Sequence, residues 1–204
     1  MKKQAALFAA GAVCALLSTA ALAQAGSTAE GPWLVRVRAV NLDSANKDST
    51  GLGLSMNDKT IPEVDISYFF TPHIAAELVL TVPQKHTLSS SVLGGAIGSF
   101  KHLPPTLTLQ YHFAPGASIR PYVGAGFNYT RFSSVNLPAG VDMERSSTGL
   151  ALQAGVDIPL SRNLSLNVDV KKVQIRSDVS VLGTTIGTFK ADPLLFGVGL
   201  GWRF

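Results

Sequence analysis

Residues 194–204 read Leu194-Leu195-Phe196-Gly197-Val198-Gly199-Leu200-Gly201-Trp202-Arg203-Phe204, and the fold turns on them. In steps of two from the end, Phe204, Trp202, Leu200, Val198, Phe196 and Leu194 are all apolar. The other register is Arg203, Gly201, Gly199, Gly197 and Leu195. A period of two marks a strand with two unlike faces. Here one face is bulky and apolar and the other nearly bare.

Seven earlier segments share the period. Trp33, Val35, Val37 and Ala39 alternate with Leu34, Arg36, Arg38 and Val40, and Val64, Ile66, Tyr68 and Phe70 with Glu63, Asp65, Ser67 and Phe69. Leu78, Leu80 and Val82 alternate with Glu77, Val79 and Thr81, and Leu107, Leu109, Tyr111 and Phe113 with Thr106, Thr108, Gln110 and His112. The fifth segment sets Val123, Ala125, Phe127 and Tyr129 against Gly124, Gly126 and Asn128. The sixth sets Leu152, Ala154 and Val156 against Gln153, Gly155 and Asp157, and the seventh Leu166, Val168 and Val170 against Asn167, Asp169 and Lys171. The phase slips at Lys171-Lys172-Val173, which predicts a bulge or the strand leaving a membrane.

Connections alternate as well. Long ones run from Leu42 to Thr60, Gln84 to Leu103, Ser133 to Ser147 and Arg176 to Lys190; short turns lie at Thr71-Pro72, Ala114 to Ser118 and Pro159 to Arg162. Long and short connections therefore sit at opposite ends, as in an outer-membrane barrel with short periplasmic turns and long extracellular loops. The pattern predicts an all-β fold, an eight-stranded antiparallel up-and-down transmembrane β-barrel. Trp33, Tyr68, Phe70, Phe113, Tyr122, Trp202 and Phe204 fall at the short-turn end, where an interfacial aromatic girdle belongs. A soluble barrel would turn the apolar face inward and leave an exterior without the usual Lys-Glu density.

Composition agrees. Charged residues make up 15% of the 204, and there are 19 glycines. Lys2 and Lys3, the apolar run from Ala5 to Leu17 and Ala21-Leu22-Ala23 predict a signal peptide over 1–23, with a mature barrel over 24–204 beginning near Gln24. The run is too short to span a membrane as a helix. Cys14, the only cysteine, lies inside it, so the mature chain has no thiol. Losing Lys2 and Lys3 leaves 15 basic against 13 acidic residues. No basic patch points to nucleic acid.

Three stretches, 101–113 (KHLPPTLTLQYHF), 120–130 (RPYVGAGFNYT) and 192–204 (DPLLFGVGLGWRF), resemble the OmpW family of small outer-membrane proteins. The resemblance spans the mature chain and is most specific at Leu103-Pro104-Pro105-Thr106 and Arg120 to Gly126. It implies a narrow eight-stranded barrel that helps small hydrophobic molecules across the cell outer membrane of the Gram-negative envelope. Phe204 resembles the recognition signal read by the barrel assembly machinery. Outer-membrane lipid, that machinery and small hydrophobic solutes are the expected partners.

An eight-stranded barrel is filled by its own side chains, so an aqueous pore is not expected. Arg36, Arg38, Glu63, Asp65, Glu77, Asp157, Asp169, Lys171 and Arg203 mix both signs on the inward register. They form either a neutralised structural network or a polar plug beneath a ligand vestibule. Glycines opposite Arg36 and Arg38 make room for these side chains.

Pro83 ends the third strand and Pro104 and Pro105 begin the fourth. Proline cannot donate to a ladder. The three either leave a side opening toward the outer leaflet or lie where pairing has already finished. His86, Ser89 to Ser91 and His102 share the second long loop, without an acyl-transfer motif or fixed metal-ligand spacing. The glycines at 197, 199 and 201 lie within a strand, which rules out a nucleotide loop. The expectation is an outer-membrane barrel giving passive passage, or a binding vestibule, for small hydrophobic molecules, with no catalysis and no cofactor. The alternative is a barrel that merely anchors mobile polar loops, such as Asp43 to Lys59, that bind a partner.

Overall fold

The structure, a computed structural model, describes residues 31–204. The expected signal peptide, with Cys14 and its cleavage site, lies outside them. In chain order the strands are β1 (Trp33–Asp43), β2 (Lys47–Asp48), β3 (Leu54–Met56), β4 (Lys59–Phe69), β5 (Ile74–Thr81), β6 (Gln84–Ser90), β7 (Gly95–Leu103) and β8 (Thr106–His112). They continue as β9 (Arg120–Asn136), β10 (Val141–Met143), β11 (Ser146–Pro159), β12 (Leu164–Val173), β13 (Arg176–Val181), β14 (Thr184–Lys190) and β15 (Leu194–Arg203). None of the described residues is helical.

Eight of these strands close a barrel in the order β1, β4, β5, β8, β9, β11, β12, β15, every neighbouring pair antiparallel. The terminal strand closes on the first, with Arg36 opposite Gly201 and Arg38 opposite Gly199. A Cβ on Gly199 would stand 2.7 Å from Arg38 Cγ, and one on Gly201 would stand 3.2 Å from Arg36 Cγ. The bare face of the quoted stretch is the space those two arginines occupy. Closure also removes the sheet edges that lipid cannot solvate.

The barrel is inside out in its lower half. Phe127 is 66% exposed and Leu152 61%, while Arg36, Asp65 and Glu77 are fully buried. That arrangement suits lipid outside and rejects the soluble alternative. Trp33, Tyr68 and Phe70 pack edge to face at the short-turn end, with ring centroids 4.8 and 5.2 Å apart. Tyr122 does not join this girdle. Val123, Ala125 and Phe127 hold the outward register of β9, so parity turns Tyr122 inward, where it is 1% exposed.

The four long connections are not open loops. β6, β7 and β3 extend the barrel sheet beyond β9, and β10, β13, β14 and β2 form a second sheet. The segment from Asp43 to Lys59 is pinned by side chains. Asp48 accepts from the Thr50 and Leu54 amides, and the Asn46 side chain bonds both the amide and the carbonyl of Met56. One extracellular hairpin turns through Leu182 (φ 49°) and Gly183 (φ 82°) between the paired Val181 and Thr184. Two successive positive φ values make the tight turn that matches strand twist.

The phase slip at Lys171 to Val173 has a chemical cause. β12 stays in register with β11 through Val173, and no bulge occurs. The strand leaves the membrane there: Val173, Ile175 and Val179 turn inward into an apolar cluster, while Lys172 and Arg176 face out. Above this level the barrel has the ordinary polarity of a soluble protein.

Candidate functional site

The inward faces of β1, β4, β5, β11 and β12 build a charged floor. Arg36 bonds Asp157 with two nitrogens, Nη2 to Oδ2 at 2.8 Å and Nε to Oδ1 at 3.2 Å, and its Nη1 reaches Asp65, Glu77 and Ser67, each at 3.1 Å. Arg38 Nη2 lies 2.7 Å from Asp65 Oδ2 and 2.9 Å from Glu63 Oε1, and its Nη1 lies 3.5 Å from Asp169. Lys171 Nζ lies 3.2 Å from Glu63. Three cations thus face five carboxylates, and neutral donors serve the surplus. Gln153 donates to Glu77 and Asp169, Tyr122 donates to Asp169, and Asn167 donates to Asp157. Buried carboxylates need such donors because burial takes them out of bulk water.

Eight of the nine charged residues named from the sequence therefore meet in one network. Arg203 stands apart at the periplasmic mouth, its guanidinium 3.8 Å above the Phe69 ring and its Nε on the Gly31 carbonyl. Tyr122, Gln153 and Asn167 were not foreseen as members, although the inward parity of Gln153 and Asn167 placed them in the lumen.

Above the floor the lining changes. Val40, Ile61, Val79 and Ala151 are buried, followed by a cluster containing Leu42, Met56, Leu88, Phe100, Phe132, Met143 and Phe189. Two cavities in it measure about 10 Å³ each, so its side chains fill it. His86 and His102 lie in this cluster, rings stacked 4.7 Å apart, each at most 2% exposed. Their outward neighbours are polar, Lys85 and Thr87 on β6 and Lys101 on β7, which puts them above the membrane. Burial holds both imidazoles below the usual histidine range, His102 at about 3. Ser90 Oγ donates to the Leu52 carbonyl rather than to either ring.

The wall beside this junction is interrupted. The β5–β8 ladder ends at Val79 opposite Thr106, and the β6–β7 ladder begins at Gln84 opposite His102. Pro83, Pro104 and Pro105 lie between. The far lips are held: Tyr129 donates its amide to the Pro105 carbonyl, and Thr81 Oγ1 donates to the Pro62 carbonyl on β4. Pro62 on β4 is a fourth residue near this place that cannot donate to a ladder.

The profile of the OmpW family matches residues 30–204. The chain belongs to the OmpW family. A relative 40% identical over 214 residues, covering 98% of this chain and 93% of its own, is an uncharacterized outer-membrane protein, y4mB, of Sinorhizobium fredii. Another, 27% identical over 208 residues and covering 94% and 98%, is the dibenzothiophene metabolism operon protein PahQ of Pseudomonas aeruginosa. Among solved structures, the outer membrane protein OprG from Pseudomonas aeruginosa superposes with a TM-score of 0.75 at 27% identity, covering 86% of this chain and 97% of its own. This OmpW-family chain is accordingly an outer-membrane barrel surrounded by lipid.

Proposed function

We propose that the barrel gives small hydrophobic molecules passive passage through the polar outer surface of the membrane, with lateral exit into the outer leaflet and no catalysis or cofactor. The observation that carries this reading is the coincidence of three features at one level. A charged floor closes the axis, an apolar cluster lies directly above it, and the wall ladder lapses beside their junction at Pro83, Pro104 and Pro105. A solute going down the axis has to displace buried, paired charges, at several kcal/mol each. Going sideways, it meets no charge, only apolar side chains and the uncharged polar groups of Thr106 and Asn128. The cavities are too small to hold a solute in advance, so the extracellular hairpins have to part for it to enter. The operon named for PahQ concerns dibenzothiophene, an apolar aromatic compound, and so supports the same solute class.

The second reading is an anchor whose extracellular face binds a partner. It draws on the ordered second sheet and on hairpin tips bearing exposed Leu182 and Val92. Initial uptake of labelled naphthalene by intact cells with and without the protein separates the two. Intact cells are needed because apolar solutes cross plain phospholipid unaided. Faster uptake with the protein supports passage; equal uptake leaves only the anchor.

A further inference from the structure

The Nε2 atoms of His86 and His102 are buried and have no hydrogen-bond partner. A buried polar atom left unpaired costs about 1–3 kcal/mol, and native proteins retain few of them. Here two occur side by side, on stacked rings 9° from parallel, within an otherwise apolar cluster. His102 also lines one of the small cavities, together with Met56, Phe100, Phe132 and Phe189.

The donor and acceptor roles follow from the neighbours. His86 Nδ1 lies 3.0 Å from the Asn57 carbonyl, which can only accept, so Nδ1 carries the proton and Nε2 of the neutral ring is an acceptor. His102, neutral as well, donates from Nε2 in one of its tautomers. One acceptor next to one donor matches a hydroxyl group, which gives one hydrogen bond and takes another. A hydrocarbon satisfies neither nitrogen. Near-parallel stacking also sets the in-plane lone pairs alongside each other instead of converging on one metal ion.

We infer that the chamber selects hydrophobic molecules bearing one hydroxyl group, with the hydroxyl held between His86 and His102 and the hydrocarbon body among Met56, Phe100 and Phe132. This rests on the proposed passage of hydrophobic solutes and names their polar end. The cavity at His102, about 10 Å³, holds a water-sized group. Methionine is a flexible side chain suited to yielding space for the remainder.

The test exploits the methionines. Beyond residue 1 the chain has only Met56 and Met143, both in this cluster. Methyl-labelled methionine therefore reports occupancy, while ¹⁵N-labelled histidine reports hydrogen bonding. Protein in lipid nanodiscs is titrated with 2-naphthol and with naphthalene. Both probes should shift the methionine methyls, only 2-naphthol should shift the two Nε2 resonances, and it should half-saturate at about tenfold lower concentration, the equivalent of one or two neutral hydrogen bonds. The H86F/H102F double variant should bind both equally. Equal half-saturation in the wild type, with unmoved imidazoles, overturns this inference and leaves the chamber standing. Retention of the tenfold preference by the double variant overturns it too. Methyls unmoved by either probe overturn both readings. Should the double variant not fold, the wild-type comparison decides alone.

Discussion

Pro104→Val is the substitution that most directly addresses the side exit. Leu103 and Pro104 each precede a proline, which biases both toward extended backbone. Along extended backbone, successive residues point their amides to opposite neighbours. The Pro105 carbonyl accepts from Tyr129 on β9, so residue 105 faces β9 and residue 104 faces β5. A valine at 104 therefore brings a new N–H toward Leu80 and Thr81, beyond the last β5–β8 ladder pair at Val79 and Thr106. The residue-104 carbonyl already accepts from Thr106 Oγ1 and Asn128 Nδ2, so the gain is the one donated bond, about 1 kcal/mol net to be broken whenever the seam opens. At 1.4 kcal/mol per factor of ten, uptake should fall about fivefold. Pro105→Thr, facing β9, should change it less than about threefold. The assay is initial uptake of labelled naphthalene by intact cells, with barrel folding verified by heat-modifiable gel mobility. Uptake within twofold of wild type for a folded Pro104→Val protein refutes the argument. If opening the floor then raises flux, the route is axial.

Arg36→Met strips a shared partner from Asp65, Glu77 and Asp157 and should cost about 3–5 kcal/mol, read by urea unfolding in lipid vesicles; a loss under about 1 kcal/mol means the network is not structural. Deleting Phe204 removes both backbone bonds it shares with Trp33 and should slow barrel closure, seen as delayed gel-shifted protein in membrane fractions; unchanged kinetics reduce Phe204 to a girdle residue. Because burial lowers the His86 and His102 pKa values, His102 to about 3, the neutral rings favour the closed extracellular half above pH 6.5, and that contribution drains away as pH falls from 6.5 toward 3. Amide exchange in β6 and β7 should quicken over that window, after correction for the intrinsic pH dependence. Exchange that stays flat contradicts neutral, buried histidines.

Period two made the eight spanning segments legible, and the opposition of Gly199 and Gly201 to Arg38 and Arg36 was legible as well, since closing a barrel forces the last strand against the first. The extracellular strands escaped notice for a chemical reason. His86 and Leu88 point in while Lys85 and Thr87 point out, the same alternation as in the membrane with its sense reversed, in a stretch whose serines and glycines resemble a loop. Tyr122 lies close to a turn, as a girdle residue would, but register parity on β9 turns it inward. Gln153 and Asn167 could be placed in the lumen, but their role depends on a surplus of carboxylates that becomes countable only once side chains from five strands meet. The histidine stack brings together residues 16 positions apart across a hairpin whose register slips at Leu88 and Ser89, beyond what spacing can predict.

The reversal of polarity gives the proposed route its physical basis. In the lower half lipid dictates the outer face, so the inner face is free to be charged. In the upper half water surrounds the strands, so burial dictates an apolar interior. Between these regimes lies a narrow level where the outer face of the wall is apolar and the inner face carries no charge, only apolar side chains beside Thr106 and Asn128. There Val79 points inward at 3% exposure, while Leu80 and Val82 point outward at 42% and 47%. A hydrophobic solute crossing the wall at this level desolvates no charge on either side. The only other resistance is the ladder itself, and this is the level at which the β5–β8 ladder stops, six residue pairs long against ten between β1 and β15. Prolines at 83, 104 and 105 keep it from being rebuilt. The same residues placed one strand turn lower would open onto Asp65 and Glu77, and placed higher would open into water. Passage thus depends on the match between where the ladder lapses and where the interior changes character, which is why restoring one amide at residue 104 should weigh more than any change to the charges beneath it.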